Sequence, residues 1–234
     1  MILVGTVHID IDGPKRLEYL LKRLQPKTIT VEYPSSFTPE EVEERLGRMH
    51  RVALECIDKL ERPDFEKAYF REIYSNYWYE AITPITYARQ SGSVVKGVDH
   101  PMTEGGFSED YLKQTFDLIR ATTKPNKSVD YDYFRELAVN YIDEAYRSFE
   151  ILAEMSQDIP STLEVPGFMI SSDPAEERES HMTENVFRAQ PDVHVGGMLH
   201  VFEYPGFEHL VTPMHTRLGN AVTQRIRLCD AFRY

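Results

Sequence analysis

Apolar and polar positions along this chain switch repeatedly between two rhythms. Residues 1–4, MILV, form one unbroken apolar run, which reads as a short buried strand. Leu17, Leu20, Leu21 and Leu24 then recur at i, i+3, i+4 and i+7, the spacing of one helix face. Asp12-Gly13-Pro14 opens that helix, with Pro14 in the first turn, and Pro26 ends it. Thr28-Ile29-Thr30-Val31 is β-branched throughout and predicts a second strand ending at Glu32, before Tyr33-Pro34 turns the chain. Strand, helix and strand fit within the roughly thirty residues of a βαβ crossover, so parallel pairing of the two strands is expected.

The middle of the chain is mostly helical in pattern. Thr38 and Glu41 are spaced for a capping box, followed by the stripe Val42, Leu46, Met49, Ala53, Cys56 and Leu60. A second helical region follows Pro63 and carries Phe65, Tyr69, Phe70, Tyr74, Tyr77, Trp78 and Tyr79, an aromatic stripe read as core. Residues 93–98 predict a third strand ending at Asp99. Helices are expected near 108–121 and 131–157, and Asp173-Pro174 signals another that runs to Ala189. Asp192 to Val195 is a fourth strand running into Gly196-Gly197. A short strand around 210–212 and a last helix carrying Leu218, Val222 and Ile226 complete the expectation. The class is α/β: a single domain over 1–234, with a parallel or mixed central sheet flanked by helices. Its large helical insertion covers about 38–92 and 105–160.

Each of these four strands is followed by a ligand-capable side chain: His8, Glu32, Asp99 and His200. In open α/β sheets, ligands bind outside the carboxyl ends of the strands. Two of the residues lie in the same local pattern, Gly5-Thr6-Val7-His8 and Gly197-Met198-Leu199-His200. Gly5 and Gly197 are expected to allow close approach of the backbone and positive φ at the strand exits. Two imidazoles with one or two carboxylates suit a divalent transition metal such as Mn, Zn or Fe. Arg178, in Glu177-Arg178-Glu179-Ser180-His181, is a candidate for gripping a substrate carboxylate or a developing oxyanion. His100 is a substitute or additional ligand beside Asp99. His50, His181, His194, His209 and His215 have weaker contexts. His194 should face away from its strand neighbours Val193 and Val195.

Composition narrows the partners. The formal net charge of -12 argues against a nucleic-acid backbone or a polybasic contact with membrane. No apolar run approaches the ~20 residues that cross a bilayer, and no basic leader precedes MILV, so a cytoplasmic protein is expected. The two cysteines, Cys56 and Cys229, are read as reduced, buried thiols. GxSxG, Walker A and dinucleotide-loop patterns are absent. The aromatics of 65–79 serve either as a homodimer face or as packing within the helical insertion.

LVGTVH, ITVEYP, GVD, ERESHMTENV and VGGMLH occur in that order. Together they resemble the TraB/PrgY group of the Tiki, erythromycin-esterase-like and ChaN-like superfamily, over about 1–34, 93–100 and 173–202. The resemblance implies an EreA/ChaN-like sheet with its site at the strand ends. Tiki-like members are metal-dependent peptidases, TraB-like members are linked to pheromone shutdown, and other relatives hydrolyse esters or bind haem. Carried over by motif, His8, Glu32 and His200 form the site core, with Asp99 and Arg178 beside it. The arginine segment of that group commonly reads ERD, whereas Glu179 follows Arg178 here.

The resulting expectation is a metal-dependent hydrolase acting on a peptide or small-molecule substrate, without nucleic acid or membrane. His8 and His200 hold the divalent metal, with Glu32 or Asp99. A carboxylate not used as ligand, Glu32 first, is the general base, and Arg178 stabilises the oxyanion. Two alternatives stand beside it. One is a metal-independent esterase-like hydrolase in which a histidine held by Glu32 activates water. The other is a non-enzymatic protein that binds a metal, haem or an anionic ligand.

Overall fold

The computed structural model describes residues 1–101, 109–110, 112–113, 116, 131–147, 172–202 and 212–234. Five strands form one sheet: β1 (Ile2–Thr6), β2 (Thr28–Pro34), β3 (Val94–Asp99), β4 (Val193–Gly197) and β5 (Gln224–Arg227). All pairings are parallel, in the order β3-β2-β4-β1-β5. The class expected from the sequence, α/β with a parallel or mixed central sheet flanked by helices, is observed, and the sheet is the parallel of the two.

The helices are α1 (Gly13–Leu24), α2 (Pro39–Asp58), α3 (Asp64–Asn76), α4 (Tyr79–Ser91), α5 (Tyr131–Ala145), α6 (Ser172–Ala189), α7 (Met198–Val201) and α8 (Met214–Leu218). Two apolar clusters cover the two faces of the sheet. Val4, Ile29, Val31, Val95, Val193, Val195 and Ile226 point to one face, where Leu17, Leu20 and Leu21 of α1 and Ile85 of α4 meet them. Leu3 and Val98 point to the other, against Met182 and Val186 of α6 and Met214 and Leu218 of α8. Both faces are therefore covered, as parallel sheets require.

Several local expectations match. Thr38 and Glu41 make both hydrogen bonds of the capping box, and Pro14 lies in the first turn of α1. Others are corrected. β1 and β2 are parallel but do not pair, because β4 lies between them and bonds to both. Local sequence carries no record of a strand that arrives about 160 residues later. The aromatic region after Pro63 forms two helices, α3 and α4, rather than one. The expected C-terminal helix is instead α8, a 3₁₀ turn, strand β5 carrying Ile226, and a final 3₁₀ segment. Ile226 takes its place in the core from a strand, not from a helix face. Of the strand expected at 210–212, residues 210 and 211 lie outside the described residues, and Thr212 is not in a strand. Among the described residues no helix is long and apolar enough to cross a membrane.

β2 runs past Glu32 to Pro34, and its register with β3 shifts between Val31 and Pro34. Val31 pairs Gly97 and Pro34 pairs Asp99, so β2 carries one more residue than β3 over this interval. This is a bulge, which re-aims side chains and bends a strand locally. Glu32 sits inside it, near the carboxyl edge of the sheet.

Candidate functional site

His8, Glu32 and His200 come together around Gly197, from three separate segments of the chain. A Cβ placed on Gly197 would stand 3.5 Å from Cδ2 of His200, 3.8 Å from Oε2 of Glu32 and 3.9 Å from Nε2 of His8. Nε2 of His200 lies 3.8 Å from Oε1 of Glu32. That same oxygen accepts a hydrogen bond from the Gly197 amide at 3.0 Å. β4, the middle strand, thus supplies the floor of the site.

The matching GxxH segments do not occupy matching positions. Gly5 pairs with Gly196, not Gly197, so the two motifs are out of step by one residue. His8 lies in the turn after β1, whereas His200 lies in the one-turn helix α7. The expected positive φ is absent at both glycines; Gly197 has φ −57°. Close approach occurs at Gly5 and at Gly196. A Cβ on Gly196 would fall 2.3 Å from Oε1 of Glu32 and 2.8 Å from Nε2 of His194, inside any permitted contact. The glycine that makes room for Glu32 is therefore the one before the motif.

Each histidine is backed by a carboxylate that sequence reading did not assign. Nδ1 of His8 bonds to Oε2 of Glu80, on α4. Nδ1 of His200 bonds to Oε2 of Glu179, on α6. An ionised carboxylate only accepts, so Nδ1 of each ring carries the proton and Nε2 is the atom left for chemistry. Glu179 is 1% exposed at its side chain, while the His8 side chain remains 56% exposed. Oε1 of Glu80 and of Glu179 are buried with no hydrogen-bond partner among the described residues.

The electrostatics follow from this arrangement. Glu80 raises the affinity of His8 for a proton more than burial lowers it. Burial opposes charge on His200 too, but Glu179 and Glu32 together push its pKa up to about 9. Burial raises the pKa of Glu32, against the pull of His200 and Arg178. Beneath them, His194 is fully buried and donates to or accepts from Thr30 Oγ1 at 3.0 Å. Burial, with His200 beside it, drives the His194 pKa down to about 3, so this ring is neutral.

Arg178 and Asp99 form a bidentate pair, Nε to Oδ1 and one Nη to Oδ2, both at 2.8 Å. The His100 amide adds a hydrogen bond to Oδ1 at 2.7 Å. Burial works against the Asp99 charge, yet the Arg178 bonds outweigh it and hold the carboxyl below its usual range. Both Asp99 oxygens are thus turned to Arg178. His100 meets His181 edge-on, ring centroids 4.7 Å apart. His181 accepts from Asn185 at 2.9 Å. His50 is on α2 and His215 on α8; His209 lies outside the described residues.

The turn that carries His8 is fixed from below. Tyr79 Oη donates to the Val7 carbonyl at 3.1 Å, and the Val7 amide donates to Tyr146 Oη at 3.2 Å. Tyr146 in turn donates to Asp10 at 2.8 Å, and Arg16 bonds to the same Asp10 oxygen at 3.0 Å. Consecutive residues Tyr79 and Glu80 therefore hold consecutive residues Val7 and His8.

The donor chemistry fits a divalent cation of borderline softness: two imidazoles with Nδ1 already engaged by carboxylates, and one carboxylate. Among the described residues no group of three or more His, Cys, Asp or Glu side chains is placed to hold a metal ion as it stands. Comparison of the chain with known proteins gave no matching family model, curated protein or solved structure.

Proposed function

We propose that this protein is a metal-dependent hydrolase of peptide-like or related amide bonds, in the manner of the TraB/PrgY and Tiki group that its motifs resemble. The observation that carries this reading is the convergence of His8, His200 and Glu32 on Gly197, with each imidazole oriented by a carboxylate at Nδ1. Nε2 of His8 and Nε2 of His200 would hold the metal, with Glu32 beside them. Once bound, such an ion supplies a water acidified towards pKa ~7 and a Lewis acid for the carbonyl.

The residues divide the remaining work. Glu80 and Glu179 fix the imidazole tautomers and raise the basicity of the rings. Glu32 keeps Oε1 on the Gly197 amide, which leaves Oε2 to take a proton from water at the site. Burial has already raised its proton affinity, which suits a base. Arg178 is held rigid by Asp99, and its guanidinium can meet the negative charge that develops on a carbonyl oxygen. In this reading Asp99 positions Arg178 and is not a ligand.

The His8–Glu80 pair also favours a second reading. A half-exposed histidine with its Nδ1 on a carboxylate is itself equipped to activate water without metal, as in an esterase-like hydrolase. Metal content by mass spectrometry on untagged protein, paired with peptide and ester turnover before and after chelation, separates the two. Near-stoichiometric metal that is lost in H8A/H200A, with chelation-sensitive peptide cleavage, is the expected result. Full turnover after exhaustive chelation would transfer the chemistry to His8 and Glu80. Tight metal with no turnover would leave a binding protein.

A further inference from the structure

Edge strand β5 carries two arginines, Arg225 and Arg227, at alternate positions and hence on one face. Arg225 pairs in register with Leu3 and Arg227 with Gly5, on the sheet face that bears His194 and Gly196. This is the face of the candidate site. The residue between them, Ile226, is buried in the opposite core.

Both guanidinium groups lie over one ring. The Arg227 carbon Cζ is 4.5 Å from the centroid of Phe202, and that of Arg225 is 5.4 Å from it. Phe202 follows the end of α7, two residues beyond His200, and its ring closes on Gly5. A Cβ at Gly5 would fall 2.9 Å from the ring and 2.7 Å from Met198 Sδ. The ring is therefore seated on the sheet by a glycine, and it holds the arginines at the height of the site.

Among the described residues neither arginine forms an ion pair, and the buried Nε of Arg227 has no hydrogen-bond partner. In a chain of net charge -12 that pairs Arg16, Arg135, Arg178 and Arg217 with carboxylates, two adjacent guanidinium groups with no carboxylate partner among the described residues stand out. Like charges side by side repel unless an anion lies between them. Guanidinium groups present a planar, two-pronged donor set that matches carboxylate and phosphate oxygens.

We propose that Arg225 and Arg227 form an anion subsite for the substrate, on the far side of Phe202 from His200. The proposal rests on the hydrolase reading for its purpose, but not for its test. Three interstrand steps separate β2, which carries Glu32, from β5. At about 4.8 Å each they amount to roughly 14 Å, or about four residues of extended peptide. The substrate is thus a short chain bearing a carboxylate, or a phosphate, about four residues from the bond at Glu32.

The test compares wild type with R225Q/R227Q as full-length, metal-free protein, with far-UV circular dichroism to check the fold. Three probes are titrated calorimetrically at low salt: an acetylated hexapeptide with a free C-terminal carboxylate, its C-terminal amide, and inorganic phosphate. The expected result is at least tenfold tighter binding of the acid than of the amide, a preference lost in R225Q/R227Q and partly kept in R225K/R227K. Binding of phosphate alone, again lost in the glutamine variant, supports the subsite and names phosphate as its group. Equal affinity for acid and amide with no phosphate binding overturns the proposal, as does a preference that survives R225Q/R227Q. The arginines then only guard an exposed sheet edge against pairing. Because binding is read without turnover, an acid preference in a protein that cleaves nothing would sink the hydrolase reading and leave the subsite standing.

Discussion

Glu179 faces His200 across 21 residues of chain, its carboxylate on Nδ1 of a ring whose Nε2 looks towards Glu32. Glu179 is almost wholly buried, so the pair is shielded from solvent screening. Replacing it by glutamine keeps the shape and removes the charge. E179Q should weaken metal binding by about 10–100-fold, the usual cost of losing such an outer partner. Equilibrium dialysis against a competing chelator checks this.

The same pair dictates a pH window in metal-free protein. The folded His200 pKa, about 9, lies above the ordinary 6.5. Its contribution to stability is therefore complete below pH 6.5 and is lost as pH rises through about 9. The stability gap between wild type and E179Q, from urea unfolding, should be widest at pH 6 and should shrink by pH 9.5. A gap independent of pH would show that His200 is not charged by Glu179.

His194 works in the opposite direction. Its folded pKa of about 3 lies below 6.5, so between those values the unfolded chain takes up a proton that the native chain refuses. Stability should fall with falling pH across that window by about 1.4 kcal/mol per unit. H194N, which retains a partner for Thr30, should lose one proton from the slope. Paired urea titrations from pH 3.5 to 6.5 measure the difference.

Glu80 is predicted to set the proton affinity of His8. E80Q should lower the His8 pKa, because the carboxylate that raises it is gone. A proton–nitrogen NMR titration of the imidazoles reads this directly. An unchanged His8 titration would remove Glu80 from the site.

Tyr146 holds the His8 turn through both Val7 and Asp10. Y146F deletes a buried hydroxyl and leaves Asp10 short of a donor. Unfolding free energy should drop by about 1–3 kcal/mol. If the hydroxyl also positions His8, peptide turnover should fall with KM little changed.

Much of the frame was legible in the chain. The β-branched run at Thr28–Val31, the leucines of α1 and the Thr38 capping box are local signals, and the structure keeps them. The two GxxH segments and Glu32 could be picked out because they stand at strand ends, where useful side chains collect. What could not be read came from distance. Glu80 and Glu179 carry no local signal of a site role; only packing against the sheet brings them to His8 and His200. Asp99 read as a ligand, but its partner Arg178 is 79 residues away. The bulge that aims Glu32 is a mismatch between β2 and β3, and a mismatch has no signature in either strand alone. β5, a strand rich in arginine and glutamine, lacks the apolar alternation that would announce it.

The insertion of β4 between β1 and β2 has a consequence for how the chain matures. During synthesis, the first two strands emerge with no partner between them, and the residues that join them come about 160 positions later. Pairings over such separations form slowly. Until they form, His8 and Glu32 belong to pieces with no common floor, and the nascent chain holds open strand edges of the kind chaperones protect. The residues around Gly197 thus come together only after β4 has left the ribosome.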